Sequence, residues 1–477
     1  MAFEPHQLTA QEQWDWIRRG DATSAELTAS YLRRIERLDG CLGAYSRVDG
    51  DRAMARAAAI DAAGQGAAPL SGVPVAEKEL VRRAGTAWGA SRLFAGAAVE
   101  ASDDVALATD ATGAVVLGAT TAPEFGLTGF SEPAGRPPAR NPWDPATGAG
   151  GSSGGAAAAV AAGLAPFAIG SDGGGSIRIP AAWCGVVGLK PSRGRVPALG
   201  GQGAFAGLVT AGPIARTVAD AAMLLDALVR PEGRARSAGY ATVPGDDGEP
   251  LLGDAVRGEG RFSLGVLEGS VWDDALDVTV DPDNAAAVAR AVAELDGLGH
   301  GVESVRLPGE DYPAFFRVLW QAGAAPIPAR TAAELALLEP YTREIVERGR
   351  RLPAEQVVTA VLAAAAFERR AIAAFARFDA VVTPTTALPP RPLGWYAAAG
   401  DDADSVFDRQ VQAAPFTSFV NVSGLPAITL PVGSSAEGAP AGVQLIGRPG
   451  GERALLAIGR QLERRLGWSR RHPPAFW

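Results

Sequence analysis

Residues 150–178 constrain this chain more than any other stretch. Gly150-Gly151-Ser152-Ser153-Gly154-Gly155 opens the segment, a run of small apolar residues from Ala156 to Ile169 follows, and Gly170-Ser171-Asp172-Gly173-Gly174-Gly175-Ser176-Ile177-Arg178 closes it. Gly163 and Pro166 interrupt the apolar run, which falls short of the ~20 residues needed to span a bilayer. The pattern predicts a buried small-residue helix running into a strand, with a sharply bent loop at each end. Glycines beside a serine remove the Cβ obstruction, permit positive φ, and let backbone N–H groups converge on one bound oxygen. Gly173, Gly174, Gly175 and Ser176 supply four consecutive donors of that kind, and a helix beginning at Ile177-Arg178-Ile179 adds its positive end. A nucleophile at Ser176 would sit inside its own oxyanion site. A phosphate cradle is excluded by spacing: the segment lacks the Gly-Lys-Ser/Thr ending of a P-loop and the G-x-G-x-x-G turn with its distant acid. A plain turn stays open.

A serine nucleophile needs a base, usually histidine. The three histidines are His6, His300 and His472; two lie at the chain ends and none has a motif-like context, so a Ser-His-Asp triad is poorly supported. The same scarcity, with two isolated cysteines, argues against a metal site, and no cofactor is expected. Lysine remains. Among 44 basic residues only Lys78 and Lys190 are lysines. Arginine stays protonated, whereas a buried lysine can lose its proton and act as a base. A compositional drift from lysine to arginine accounts for the low count equally well. Lys78, ending Gly72-Val73-Pro74-Val75-Ala76-Glu77-Lys78, is the candidate, and Lys78, Ser152 and Ser176 are the components of a site.

The rest of the 477 residues reads as α/β. With 47% hydrophobic and 20% charged residues the chain has material for a large core, and a net charge of −9 gives no reason to expect nucleic acid or an anionic membrane as partner. A small-molecule substrate is expected, and a homodimer is left open. Met1–Gln13 lacks a basic stretch followed by an apolar run, so a cytoplasmic location is expected and the Asn421-Val422-Ser423 sequon has no meaning. Residues 1–65 read as a helical layer, with helices at Thr9–Arg19, Ser24–Leu38 and Arg52–Ala63. Short β-type runs separated by glycine-rich loops fill 72–216. A helix at Arg216–Val229 precedes a Gly/Pro/charged loop over 231–260. Strands at Phe262–Val266 and His300–Leu307 flank a helix at Asp283–Leu295, 310–378 is a helical insertion, and strands follow near 379–384, 428–432 and 442–447 before a last helix at Arg453–Leu466. No boundary divides 1–477, so one domain is expected.

These residues resemble the amidase signature family, whose hallmark is a Ser-cisSer-Lys triad on a glycine- and serine-rich core. The resemblance runs through Gly72–Lys78, Pro123-Glu124-Phe125-Gly126, Arg140-Asn141-Pro142-Trp143-Asp144, Gly150–Gly155, Gly170–Pro180, Ala182–Pro191, Gly212-Pro213-Ile214-Ala215-Arg216, Asn421–Ile428 and Gly442–Gly447. It implies a large central mixed β-sheet covered by helices on both faces. It also implies an amide hydrolase in which Ser176 is acylated, Ser152 follows a cis peptide bond and bridges to the general base Lys78, and the oxyanion rests on Gly173–Ser176. Ser153 is expected to support the loop. Arg178 either braces it by pairing with Asp172 or holds a substrate carboxylate. Lys190 reads as structural and Cys184 as a core thiol. The helical insertion is expected to form part of the substrate pocket, with Phe125, Trp320, Tyr341, Trp395 and Phe416 as candidate lining residues.

Departures narrow the substrate. Members that hydrolyse glutamine for tRNA transamidation usually carry an aspartate three residues before the threonine of the closing block, and here that position is Ala414, three before Thr417. The expected substrate is therefore a linear, non-peptide amide with a neutral, apolar or aryl acyl group, an anilide or hydrazide included. The glutamine-hydrolysing component of an amidotransferase is the alternative.

Overall fold

The computed structural model describes residues 4–64, 68–197, 205–229, 249–309 and 311–477. Among them, eleven strands form a single sheet: β1 (Tyr45–Val48), β2 (Pro74–Lys78), β3 (Val115–Thr120), β4 (Phe167–Asp172), β5 (Val187–Lys190), β6 (Thr210–Ala215), β7 (Ser263–Leu267), β8 (Gly301–Val305), β9 (Ala380–Pro384), β10 (Ala427–Ser434) and β11 (Pro440–Gly447). Their spatial order is β1-β3-β2-β4-β6-β5-β10-β11-β9-β7-β8. The sheet is mixed. β3, β2 and β4 run parallel, as do β9, β7 and β8, while the remaining neighbours are antiparallel.

Alternation along the strands divides the core in two. Phe167 and Ile169 of β4 and Val443 and Leu445 of β11 pack on one face, with the helices Val218–Val229 and Glu452–Leu466. Ala168 of β4 turns to the other face and joins the alanines of the helix Gly154–Ala161, while Ile446 of β11 meets aromatic residues of the helices Tyr312–Ala324 and Ala354–Phe375. Every residue of the Gly154–Ala161 helix is buried. Small side chains are required there: a Cβ on Gly155 would fall 2.3 Å from the Ala44 carbonyl oxygen.

Most expected elements are present, with three differences. The N-terminal layer holds the helices Ala10–Arg19 and Ser24–Leu38, each opened by a threonine–glutamate capping box, and Gly50–Ala63. β1 interrupts it, however, pairing antiparallel with β3 at the sheet edge; four residues, of which only Tyr45 is buried, carry no readable alternation. The loop expected over 231–260 lies partly outside the described residues, and Leu252–Arg257 within it is a short helix. The helix Ala403–Ala413, which no periodicity had indicated, supplies one wall of the pocket described below. No helix among the described residues is long and apolar enough to cross a membrane.

Candidate active site

Two neighbouring parallel strands end at the site. β2 and β4 pair through Ala76 and Ala168 and through Glu77 and Ile169, so Lys78, last in β2, arrives beside Ser171 and Asp172, last in β4. The helix Gly154–Ala161 leads back into β4, and the loop before its first turn brings Ser152 to the same carboxyl ends. A crevice outside the carboxyl ends of parallel strands is a recurrent place for ligands in α/β sheets.

Lys78 Nζ donates to Ser152 Oγ at 2.6 Å and to Ser171 Oγ at 3.0 Å. Lys78 is 1% and Ser152 2% exposed. Burial pulls the lysine down from 10.5 to about 7, with Asp172 and Glu79 opposing through their charge. An amine so placed is available as a base near neutral pH. The peptide bond between Gly151 and Ser152 is cis. Ser153 joins the loops: its N–H donates to the Ser176 carbonyl at 3.1 Å, and its hydroxyl donates to the Ser171 carbonyl at 3.2 Å. Ser171 itself was not among the expected site residues; it sits in the Gly170–Pro180 motif, but only strand pairing brings it to Lys78.

Asp172 organises the second loop. Its carboxylate accepts from the N–H groups of Gly175 at 2.7 Å and Ile177 at 3.1 Å, and from Arg178 Nη2 at 2.8 Å and Nε at 2.9 Å. Burial alone would raise its pKa, yet the Arg178 charge and hydrogen bonds hold it well below the usual carboxylate range. Of the four expected oxyanion donors, the Gly175 amide is thus engaged by Asp172. The start of the helix Arg178–Cys184 faces the same carboxylate, so its positive end is answered from within. Arg178 is fully buried, and its Nη1 donates to the Gln444 Oε1 at 2.6 Å. Its donors run to Asp172, Thr417, Gln444 and Asn421, which braces the loop. Asn421 donates to the Asp172 carbonyl at 2.8 Å and is 1% exposed, closed to glycosylation whatever the compartment. Thr417 Oγ donates to the Gly174 carbonyl at 2.6 Å. Both residues lie in or beside the closing motifs, but their partners are some 240 positions upstream.

Lys190 is equally buried and pulled down to about 7, burial being the main cause and the Arg178 charge adding to it. Its ammonium meets the Pro191 carbonyl at 2.9 Å. Burial pushes the Cys184 thiol well up, which makes it a poor nucleophile.

Ser176 is 7% exposed and opens on a cavity of about 530 Å³, mouth included. Trp320 and Tyr341 line it, as expected. Phe125, Trp395 and Phe416 are not among its described lining residues. Phe125 packs edge-on against Trp88 and Phe94, Trp395 packs edge-on against Tyr396 under Arg391, and Phe416 is buried with its carbonyl accepting from Gln444 Nε2. Aromatic type alone does not say which way a ring faces. Trp272, Phe316 and Phe407 take those places. Tyr312 hydroxyl and Trp272 Nε1 both donate to Ser418 Oγ, at 2.9 and 3.4 Å, which fixes the Trp272 indole. Ala414 also lines the cavity, and no described lining residue carries a charge.

The family model described as Amidase matches residues 26–456. AmiB2 of Mycobacterium tuberculosis, which bears the name of an amidase, is 40% identical over 473 residues and 95% of each chain. A glutamyl-tRNA(Gln) amidotransferase component from Moorella thermoacetica is 33% identical over 99% of each chain. Among solved structures, 6-aminohexanoate cyclic dimer hydrolase complexed with substrate superposes with a TM-score of 0.90 at 29% identity, covering 99% of this chain and all of that one. The chain therefore belongs to the amidase signature family and is an amidase.

Proposed function

We propose that the chain hydrolyses a linear carboxylic amide with an uncharged, apolar or aryl acyl group through an ester on Ser176, with Ser152 as proton relay and Lys78 as base. The observation that carries this reading is the 2.6 Å contact between a buried lysine and Ser152, in a loop tied through Ser153 to Ser176, which lines the cavity. Neutral Lys78 takes the Ser152 hydroxyl proton as Ser152 Oγ takes that of Ser176, and Ser176 Oγ adds to the amide carbon. The Gly173, Gly174 and Ser176 amides face the oxygen as its charge grows. The carbon–nitrogen bond then breaks, the leaving nitrogen receives a proton from Ser152, and Lys78 returns its own to Ser152. Water, deprotonated by the same relay, attacks the ester; the acid leaves and the Ser176 hydroxyl is restored.

The glutamine reading is supported by the resemblance to the Moorella protein. The cavity speaks against it, because the ammonium of glutamine would find no carboxylate among the described lining residues, Ala414 standing there instead. The test is a hydrolysis panel of aliphatic and aryl amides, anilides and glutamine. Ser176→Ala and Lys78→Ala should each lower kcat by at least about 10³-fold. Wild-type rates in Lys78→Ala would sink the mechanism, and glutamine as the preferred substrate would sink the acyl assignment.

A further inference from the structure

A narrow recess, of about 240 Å³ with its mouth to solvent included, adjoins the cavity and shares three of its residues, Trp320, Tyr341 and Phe407. These come from three helices, Tyr312–Ala324, Pro340–Arg351 and Ala403–Ala413. The two sides of the partition differ. The near side is uncharged, whereas the far side is lined by Arg317, Arg348 and Asp404. Arg348 Nη1 donates to Asp404 at 2.8 Å, and the Arg317 guanidinium lies 4.5 Å from the centre of the Phe407 ring. Those charged side chains are a quarter to a half exposed, so the recess communicates with solvent. Trp320 in turn approaches the loop of the nucleophile: a Cβ on Gly174 would lie 3.8 Å from its ring.

We infer that the ring wall of Trp320, Tyr341 and Phe407 sets the maximum length of the acyl chain, and that the recess is the space a longer chain enters once the wall is cut. This rests on the assignment of the cavity to the acyl group. Each methylene buried on the near side contributes affinity, and the gain ends where a chain meets the rings or would have to push into the ion pairs behind them. The enzyme thereby selects acyl groups that end before the wall.

The test separates binding from turnover. Ser176→Ala holds substrate without acylation, and the affinity of straight-chain carboxamides for it is measured as the chain grows one carbon at a time. Affinity should rise about fourfold per methylene and then stop. With Trp320→Ala or Phe407→Ala added, the rise should continue for two or more carbons past that limit. Val411→Ala enlarges the cavity at a residue the recess does not share, and should leave the limit in place. An unchanged limit in both wall variants overturns the inference, as does an equal extension in Val411→Ala or the absence of any chain-length dependence. Failure of the reaction assignment shows separately, as lack of turnover in the intact enzyme.

Discussion

Arg178 and Asp172 form an ion pair at 2.8 Å with neither side chain exposed to solvent. The pair reaches beyond itself. Through Asp172 it holds the Gly175 and Ile177 amides, and through Arg178 it holds the Thr417 carbonyl and the side chains of Gln444 and Asn421. Removing one partner leaves a buried charge without compensation, which costs about 3–5 kcal/mol. Asp172→Ala is expected to lower the midpoint of thermal unfolding by several degrees and to abolish activity. Calorimetry beside the turnover assay checks this, and a variant with wild-type stability would show that the pair braces nothing.

Lys78 and Ser171 give a pH signature. With Lys78 at about 7, kcat/KM should rise with pH through about 7 as the amine becomes neutral. Ser171→Ala removes an acceptor that favours the ammonium, so the acid limb should move to lower pH while the plateau falls roughly 10-fold or more from loss of alignment. A pH profile of both enzymes decides it; an unshifted limb would mean Ser171 does not bear on the Lys78 proton. Stability carries a related sign. Lys78 and Lys190 each titrate near 7 when folded against 10.5 in the reference state, so between about pH 7 and 9 the unfolded chain binds more protons and stability rises with pH. Lys78→Met should flatten that slope in urea titrations.

Gly175 has φ of 130°, and a Cβ there would fall 2.4 Å from Thr417 Oγ. Gly175→Ala must displace the loop that carries Ser176, with an expected loss of at least about 10²-fold in kcat. Adding Thr417→Ala removes the Oγ, but the Cβ of residue 417 at 2.7 Å and Ile179 Cδ1 at 2.8 Å would still meet the new methyl, so recovery should be slight. Full activity in Gly175→Ala would mean that the loop geometry is not needed.

The three residues of the proposed relay were readable as a set because each stands in a local pattern: glycines around Ser152 and Ser176, and the sole lysine of the Gly72–Lys78 block. The pairing of Asp172 with Arg178, six positions apart, was one of two readings the sequence left open for that arginine. Ser171 was missed because its role depends on which strand β4 pairs with, and β2 is about ninety positions upstream. Phe125, Trp395 and Phe416 were misplaced for a related reason: an aromatic residue is equally content in a pocket wall or a packed core, and only the neighbouring helices decide.

Ala414 was legible as a departure, but its position in the cavity wall depends on the helix Ala403–Ala413. The sequence by itself determined which groups are available for chemistry, since serines, a lysine and glycines at these positions limit what bonds can be made and where the backbone can turn. Tertiary structure alone decided the environment: the burial that brings Lys78 to about 7, the engagement of the Gly175 amide by Asp172, and the rings that line the cavity. Those properties depend on groups that approach from distant parts of the chain, and desolvation and packing act through space without regard to sequence separation.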